Sequence, residues 1–279
     1  MHAPGPDWLG AARAAADELE TILAAAPTTV QRARETGTRG EGGDLTLEID
    51  AAAEAAVFRQ LERLHREGAR FTALSEERGT VDFGGGDGAP LLVIDPIDGS
   101  KNAKRGLTHF ALSIAVADGP TMADVVFAYV RDFGPREEWV ARRGEGALLN
   151  GTPIDPDVPE RRVRGKLEIL GFESADPRWV RLSADALAEV ASRVRAMGTI
   201  AVSLCQVAAA RLDGMVTLRG CRAVDAAAAQ LIVREAGGLV AFTAFADPLA
   251  APLDLVPHSA VVAARTPESL RELARVPSL

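Results

Sequence analysis

Cysteine, long apolar runs and excess positive charge are all scarce in this chain of 279 residues. Two cysteines, Cys205 and Cys221, are too few for a disulfide framework and read as reduced, buried small hydrophobes. No apolar stretch approaches the roughly 20 residues that cross a bilayer. The segment Met1 to Asp7 has neither the basic nor the apolar region of a signal peptide, so a cytoplasmic location without membrane attachment is expected. A formal net charge of −8 argues against nucleic acid as a main partner, because binding a phosphate backbone needs a basic face. An apolar fraction of 47% excludes a disordered chain, and the length suffices for one large or two moderate subdomains around a substantial core.

What is present is a patterned set of acids. Leu91-Leu92-Val93-Ile94 has the length and β-branched content of a core strand, and it runs into Asp95-Pro96-Ile97-Asp98-Gly99-Ser100. Pro96 cannot donate to a ladder, so the chain is expected to leave the sheet just after Asp95. Asp98 follows on a sharp turn, where its carboxylate can converge with Asp95 and the Ile97 carbonyl on a hard cation such as Mg²⁺. Gly99 and Ser100 then offer N–H groups at a helix start, suited to an anion. Asp, Pro and Gly are also ordinary turn residues, but two further acidic clusters favour the functional reading. Phe71 to Glu77 is a second apolar run ending in carboxylates, Glu76 and Glu77, as from a neighbouring strand. Val224-Asp225 opens a helical stretch closed by Gly237-Gly238, with Asp225 at or near its N-cap.

These segments, in this order, resemble the inositol monophosphatase family of metal-dependent, lithium-sensitive phosphomonoesterases. The matching pieces are Ser75-Glu76-Glu77, Asp95 to Ser100 with Asn102, and Val224-Asp225 leading into Glu235-Ala236-Gly237-Gly238. Asp44-Leu45-Thr46-Leu47-Glu48-Ile49-Asp50 is similar to the family's early Asp-Leu-Val-Thr-x-x-Asp piece. Departures are Val224 for the family tryptophan, Thr46 one place early, Arg39 for a lysine, and Leu218 where animal enzymes carry a glutamate that contacts ring hydroxyls.

The resemblance implies two or three Mg²⁺ per site and hydrolysis of a small-molecule phosphate monoester by activated water. Glu76, Asp95 and the Ile97 carbonyl would hold one ion, and Asp95, Asp98 and Asp225 a second. Glu76, Ser100 and Asp50 would serve catalysis. Gly99, Ser100, Asn102, Gly198, Thr199 and Ile200 would contact phosphate or substrate, although Thr199 reads equally as a simple helix cap. Inositol phosphate, fructose 1,6-bisphosphate, histidinol phosphate and 3′-phosphoadenosine 5′-phosphate are all substrates within the family, and a homodimer is its usual assembly. Lys101, Lys104 and Arg105 read either as a solvated turn or as a funnel for a second anionic group. A haloacid-dehalogenase phosphatase needs one residue between its two aspartates, whereas two separate Asp95 from Asp98. A metal-binding protein whose activity has lapsed is the non-enzymatic alternative.

The remaining pattern divides the chain into an α+β part, residues 1–158, and an α/β part, residues 159–279. The family resemblance implies the same division, with the two parts stacked as a layered α-β-α-β-α sandwich of the sugar-phosphatase type. Helices are expected over Ala11 to Ala26 and Asp50 to Glu67, the latter with Ala53, Val57, Leu61 and Leu64 on one stripe. The run Gly84 to Gly88 reads as a loop without phosphate chemistry. Antiparallel strands follow over Phe110 to Val116, Val125 to Val130 and Glu138 to Arg142, with a turn at Asn150-Gly151. Strands and helices then alternate through Lys166 to Leu170, Ala184 to Val194, Thr199 to Leu212, Met215 to Leu218, and Leu239 to Phe242. His109, at a strand entry, reads as structural.

Overall fold

A computed structural model describes residues 5–39, 45–86 and 88–278. Asp44 and Asp87 lie outside the described residues, as do the side chains of Arg39 and Thr46. Helices α1 (Trp8–Ala25) and α2 (Thr29–Arg32) precede a ribbon of β1 (Glu35–Arg39) and β2 (Leu45–Leu47), then α3 (Glu48–Arg66). Next come β3 (Phe71–Ser75), β4 (Gly79–Phe83), β5 (Leu91–Asp98), α4 (Ser100–Arg105), β6 (Ala111–Ala117), β7 (Val125–Asp132), β8 (Glu137–Arg142), β9 (Gly146–Leu149) and β10 (Thr152–Pro153). Strands β3 to β10 form one sheet in the order β10-β9-β8-β7-β6-β5-β3-β4. The remainder is β11 (Arg162–Val163), β12 (Lys166–Glu173), α5 (Pro177–Val190), β13 (Ala191–Arg195), α6 (Ile200–Ala208), β14 (Gly214–Thr217), α7 (Ala223–Glu235), β15 (Leu239–Phe242), β16 (Val261–Ala264) and α8 (Pro267–Leu273). Its strands form a second sheet, β11-β12-β14-β16-β15, with β13 paired to β12.

Period-two alternation explains why these elements stack in layers. On β6, Leu112, Ile114 and Val116 face α1 and α3, while Ala111, Ala115 and Ala117 face the opposite core. On β7, Phe127 and Tyr129 join the first group and Ala128 and Val130 the second; Val125 also joins the second, because the β6–β7 register shifts between Phe127 and Val125. That second core holds α6 and α7, which lie between the two sheets; α5 and α8 cover the far side of the second sheet with Leu187 and Leu273. The layers are therefore α-β-α-β-α. The alanines Ala226 to Ala229 of α7 are all buried, and their small side chains let the helix pack between two sheets. No described helix is long and apolar enough to cross a membrane.

Two local expectations are corrected, one strand is added and one placement is refined. The strand does not end at Asp95: Asp95 lies opposite Ser113 and Asp98 opposite Ala111, so the ladder resumes after a bulge that accommodates Pro96. The region after Glu76 folds back as β4, antiparallel to β3, before the glycine-rich loop. The helix expected through Val194 stops at Val190, and Ala191–Arg195 pairs in parallel with β12. Asp225 lies near the N-cap of α7 as expected: it is the third residue of the helix, and Arg222 takes the cap position.

The C-terminus of α7 closes as the glycine pair suggests. The Gly238 N–H donates to the Val233 carbonyl at 2.9 Å and the Gly237 N–H to Arg234 at 3.1 Å, a Schellman closure. Gly237 has φ +80°, and a Cβ there would lie 2.9 Å from the Pro156 carbonyl oxygen. Gly237→Ala should therefore lower stability by about 1–3 kcal/mol, seen as a reduced thermal midpoint. An unchanged midpoint would show that the Pro156 segment yields freely.

Candidate active site

Three structural elements deliver the predicted acids to one place. Strands β3 and β5 run parallel with Ser75 beside Ile94, so Glu76 emerges next to Asp95. The bulge turns Asp98 toward the same rim, and the first turn of α7 contributes Asp225 from the layer between the sheets. Glu76, Asp95, Asp98 and Asp225 line a cleft of about 610 Å³ together with Ile97, Gly99, Ser100, Lys101 and Asn102. Gly198, Thr199, Ile200, Glu173, Trp179, Arg219 and Arg222 form the facing wall.

Burial sets the electrostatics. Asp95 is 2% exposed and Asp98 and Asp225 are each 8% exposed, so their charges are poorly hydrated. Burial, with Glu76, Asp98 and Asp225 nearby, pushes Asp95 well above the usual carboxylate range. Burial and then Asp225 push Asp98 up to about 7, against hydrogen bonds from Thr199 and Ala201. Glu76 is raised by burial and opposed by Arg222.

The chain fixes these groups with its own donors. The Thr199 hydroxyl and the Ala201 N–H both donate to Asp98 Oδ2, the latter at 2.7 Å, tying β5 to the start of α6. The Ile97 N–H donates to Asp95 Oδ1 at 3.0 Å and holds the bulge. Arg222 Nη1 donates to Glu76 Oε1 at 2.7 Å and Nη2 to Asp225 Oδ1 at 3.0 Å. With Arg222 between Glu76 and Asp225, no three His, Cys, Asp or Glu side chains among the described residues stand as a ready-made metal cage. The donor chemistry nonetheless suits a hard divalent cation: carboxylate oxygens and the Ile97 carbonyl, without nitrogen or sulfur ligands.

The phosphate-side residues are placed unevenly. Gly99 has φ +87° and a Cβ there would sit 3.1 Å from the His109 carbonyl oxygen and 3.2 Å from that of Gly198, so only glycine lets α4 approach this loop. Ser100 is exposed in the cleft, and Gly198 and Ile200 line it. Thr199 both caps α6, accepting from the Val202 N–H at 3.2 Å, and donates to Asp98. Asn102 commits its amide nitrogen to the carbonyls of His109 at 2.8 Å and Met197 at 2.6 Å, so it clamps the loop rather than presenting that donor to a ligand. Asp50 is buried in the first turn of α3 and is not among the residues that form the cleft wall. Lys101 lines the cleft, whereas Lys104 and Arg105 do not. His109 pairs with Asp132, Nδ1 to Oδ2 at 3.0 Å, the structural part expected of it.

A model of the inositol monophosphatase family matches residues 7–276. The chain belongs to this family. It is 35% identical over 235 residues to a fructose-1,6-bisphosphatase/inositol-1-monophosphatase of Thermococcus kodakarensis, covering 84% of this chain and 83% of that one. It is 36% identical over 201 residues to the Nus factor SuhB of Haemophilus influenzae, 71% of each chain. A crystal structure of an inositol monophosphatase–fructose 1,6-bisphosphatase shares the fold, with TM-score 0.81 and 24% identity over 97% of this chain and 99% of that one.

Two wall residues of this family member escape the acidic motifs. Glu173 ends β12, three residues beyond the expected strand end. Its carboxylate accepts from the Met197 and Gly198 N–H groups, each at 2.8 Å, and from Ser203, fixing the Gly198–Thr199 turn. Arg222 stands three residues before Asp225, a spacing that places a side chain on the same helical face as a predicted ligand.

Beneath the Glu76 turn, Ser75 donates to Glu54 Oε2 at 2.7 Å, and the Arg78 Nε lies 3.8 Å from Oε1. Burial raises Glu54 from 4.5 to about 7. The folded state thus binds this proton more tightly than the unfolded chain, so the group's stabilising contribution is full below about pH 4.5 and is lost as pH rises through about 7. Glu54→Gln keeps an acceptor for Ser75 and removes the charge. Thermal melts should show it more stable than the parent at about pH 8 and equal to it near pH 4. A variant less stable at pH 8 would contradict the assignment.

Proposed function

We propose that this protein hydrolyses a small-molecule phosphate monoester with the help of two or more Mg²⁺ ions. One observation carries the reading: four carboxyl groups from distant parts of the chain converge in the cleft that also holds the Gly99–Ser100 turn and the Gly198–Ile200 turn. Glu76, Asp95 and the Ile97 carbonyl would hold one ion, and Asp95, Asp98 and Asp225 the other. When bound, such ions neutralise the phosphate and lower the pKa of water.

The protein's own residues do the rest. The Gly99 and Ser100 N–H groups at the start of α4 face incoming phosphate oxygens, and the Ser100 hydroxyl and Glu76 orient the attacking water. Glu173 and Asn102 hold the Gly198 turn against α4, which fixes the width of the cleft where the alcohol part of the ester lies. The outer wall supports a substrate with a second anionic group. Lys101 and Arg219 line it, and the Arg219 guanidinium lies 5.4 Å from the centre of the Trp179 ring. Leu218, where animal enzymes carry a hydroxyl-binding glutamate, is buried in the core and offers no such contact, so the basic pair Lys101 and Arg219 favours fructose 1,6-bisphosphate over an inositol monophosphate. The Thermococcus relative bears both activities in its name.

Phosphate release from inositol 1-phosphate, fructose 1,6-bisphosphate, histidinol phosphate and 3′-phosphoadenosine 5′-phosphate, with Mg²⁺ and with EDTA, tests the reading. Mg²⁺-dependent release, greatest from the bisphosphates, is expected; no release with Mg²⁺ still bound would favour a lapsed enzyme. Asp98→Asn should lower turnover by roughly 10²-fold or more while the fold persists, because one amide oxygen can still accept from Thr199 and Ala201. Full activity in that variant would exclude Asp98 from the site.

A further inference from the structure

Arg222 occupies one oxygen of Glu76 and both of Asp225, an acid from each of the two ion positions proposed above. Its planar fork spans both carboxylates: Nη1 reaches Glu76 Oε1 at 2.7 Å, Nη2 reaches Asp225 Oδ1 at 3.0 Å, and Nε lies 3.4 Å from Asp225 Oδ2. The three side chains are only 20%, 17% and 12% exposed, for Arg222, Glu76 and Asp225 in turn, so the ion pairs are shielded from competing water. We propose that Arg222 is a resident counter-cation of the metal site, holding Glu76 and Asp225 in the metal-free protein and yielding them when a divalent ion binds. The proposal rests on the reading of the cleft as a metal site.

The ion beside Glu76 and the ion beside Asp225 each need carboxylate lone pairs that now accept from the guanidinium, and a guanidinium cation so close to either position opposes the ion that would bind there. Binding is therefore an exchange. The exchange is local, because the Arg222 backbone N–H donates to Asp225 Oδ2 at 2.8 Å and anchors the start of α7. Only the side chain has to leave, and the cleft beside it is open to receive it. Without the guanidinium, the metal-free protein would carry the Glu76, Asp95, Asp98 and Asp225 cluster uncompensated, so the same residue that weakens metal binding stabilises the empty site. Apparent metal affinity is lowered by whatever the displaced ion pairs contributed.

The test is Mn²⁺ titration of metal-free protein, followed by electron paramagnetic resonance of the free ion, for the parent, Arg222→Gln and Arg222→Lys. Thermal melts with and without saturating Mn²⁺ accompany it. The glutamine variant should bind Mn²⁺ at least about 10-fold more tightly than the parent. It should melt lower than the parent without metal, and the gap should close when Mn²⁺ saturates. The lysine variant, which keeps the charge but cannot span both carboxylates, should fall between. Equal or weaker Mn²⁺ affinity in both variants, or a melting gap that metal leaves unchanged, would overturn the proposal. If the glutamine variant does not fold without metal, the lysine variant decides by the same affinity comparison. A parent and variants that all fail to bind Mn²⁺ would instead overturn the reading of the cleft as a metal site.

Discussion

Carboxylates crowded in a poorly hydrated cleft repel one another, and the architecture around this cleft is organised to hold them there. Two unit charges about 4 Å apart repel by about 4 kcal/mol at an effective dielectric of 20, a large fraction of a domain's net stability. The chain meets this in three ways. It places Asp95 and Asp98 on either side of a bulge in a buried strand, where the ladder fixes the backbone. It gives Asp98 two donors from the start of α6. It puts the Arg222 guanidinium between Glu76 and Asp225.

The layering serves the same end. Asp225 reaches the rim only because α7 packs between the two sheets, and it packs there because the side chains facing it are small: Ala111, Ala115 and Ala117 on β6 and its own run of alanines. The second sheet acts through Glu173, which reaches from the end of β12 to the Met197 and Gly198 amides and so sets the loop that Thr199 joins to Asp98. Residues far apart in sequence thus control one another's positions through buried polar contacts, each of which would be expensive to leave unmade.

Much of this was legible in the sequence where local pattern and long-range pairing agree. The β5 run, the alternation of β6 and β7, the α3 stripe and the glycine closure of α7 follow from periodicity and turn chemistry, and the acidic motifs led to the cleft. The failures have physical reasons. Pro96 looked like a strand end because a bulge depends on the partner strand, which the local sequence does not show. Ala191–Arg195 continued a helical pattern and became a strand only through pairing with β12. Asn102 resembled a ligand contact but spends its amide on two carbonyls brought near by the fold. Arg222 and Glu173 carry no motif: beyond its neighbour Asp225, Arg222 binds Glu76, 146 residues away, and the partners of Glu173 are 24–30 residues away, so their importance emerges mainly from tertiary structure.

The most direct test of the account is anomalous diffraction from crystals grown with Mn²⁺. Density is expected in the cleft, with one ion bounded by Glu76, Asp95 and the Ile97 carbonyl and another by Asp95, Asp98 and Asp225. Anomalous density only elsewhere on the protein, or none at saturating Mn²⁺, would contradict the claim that these four acids form a metal centre.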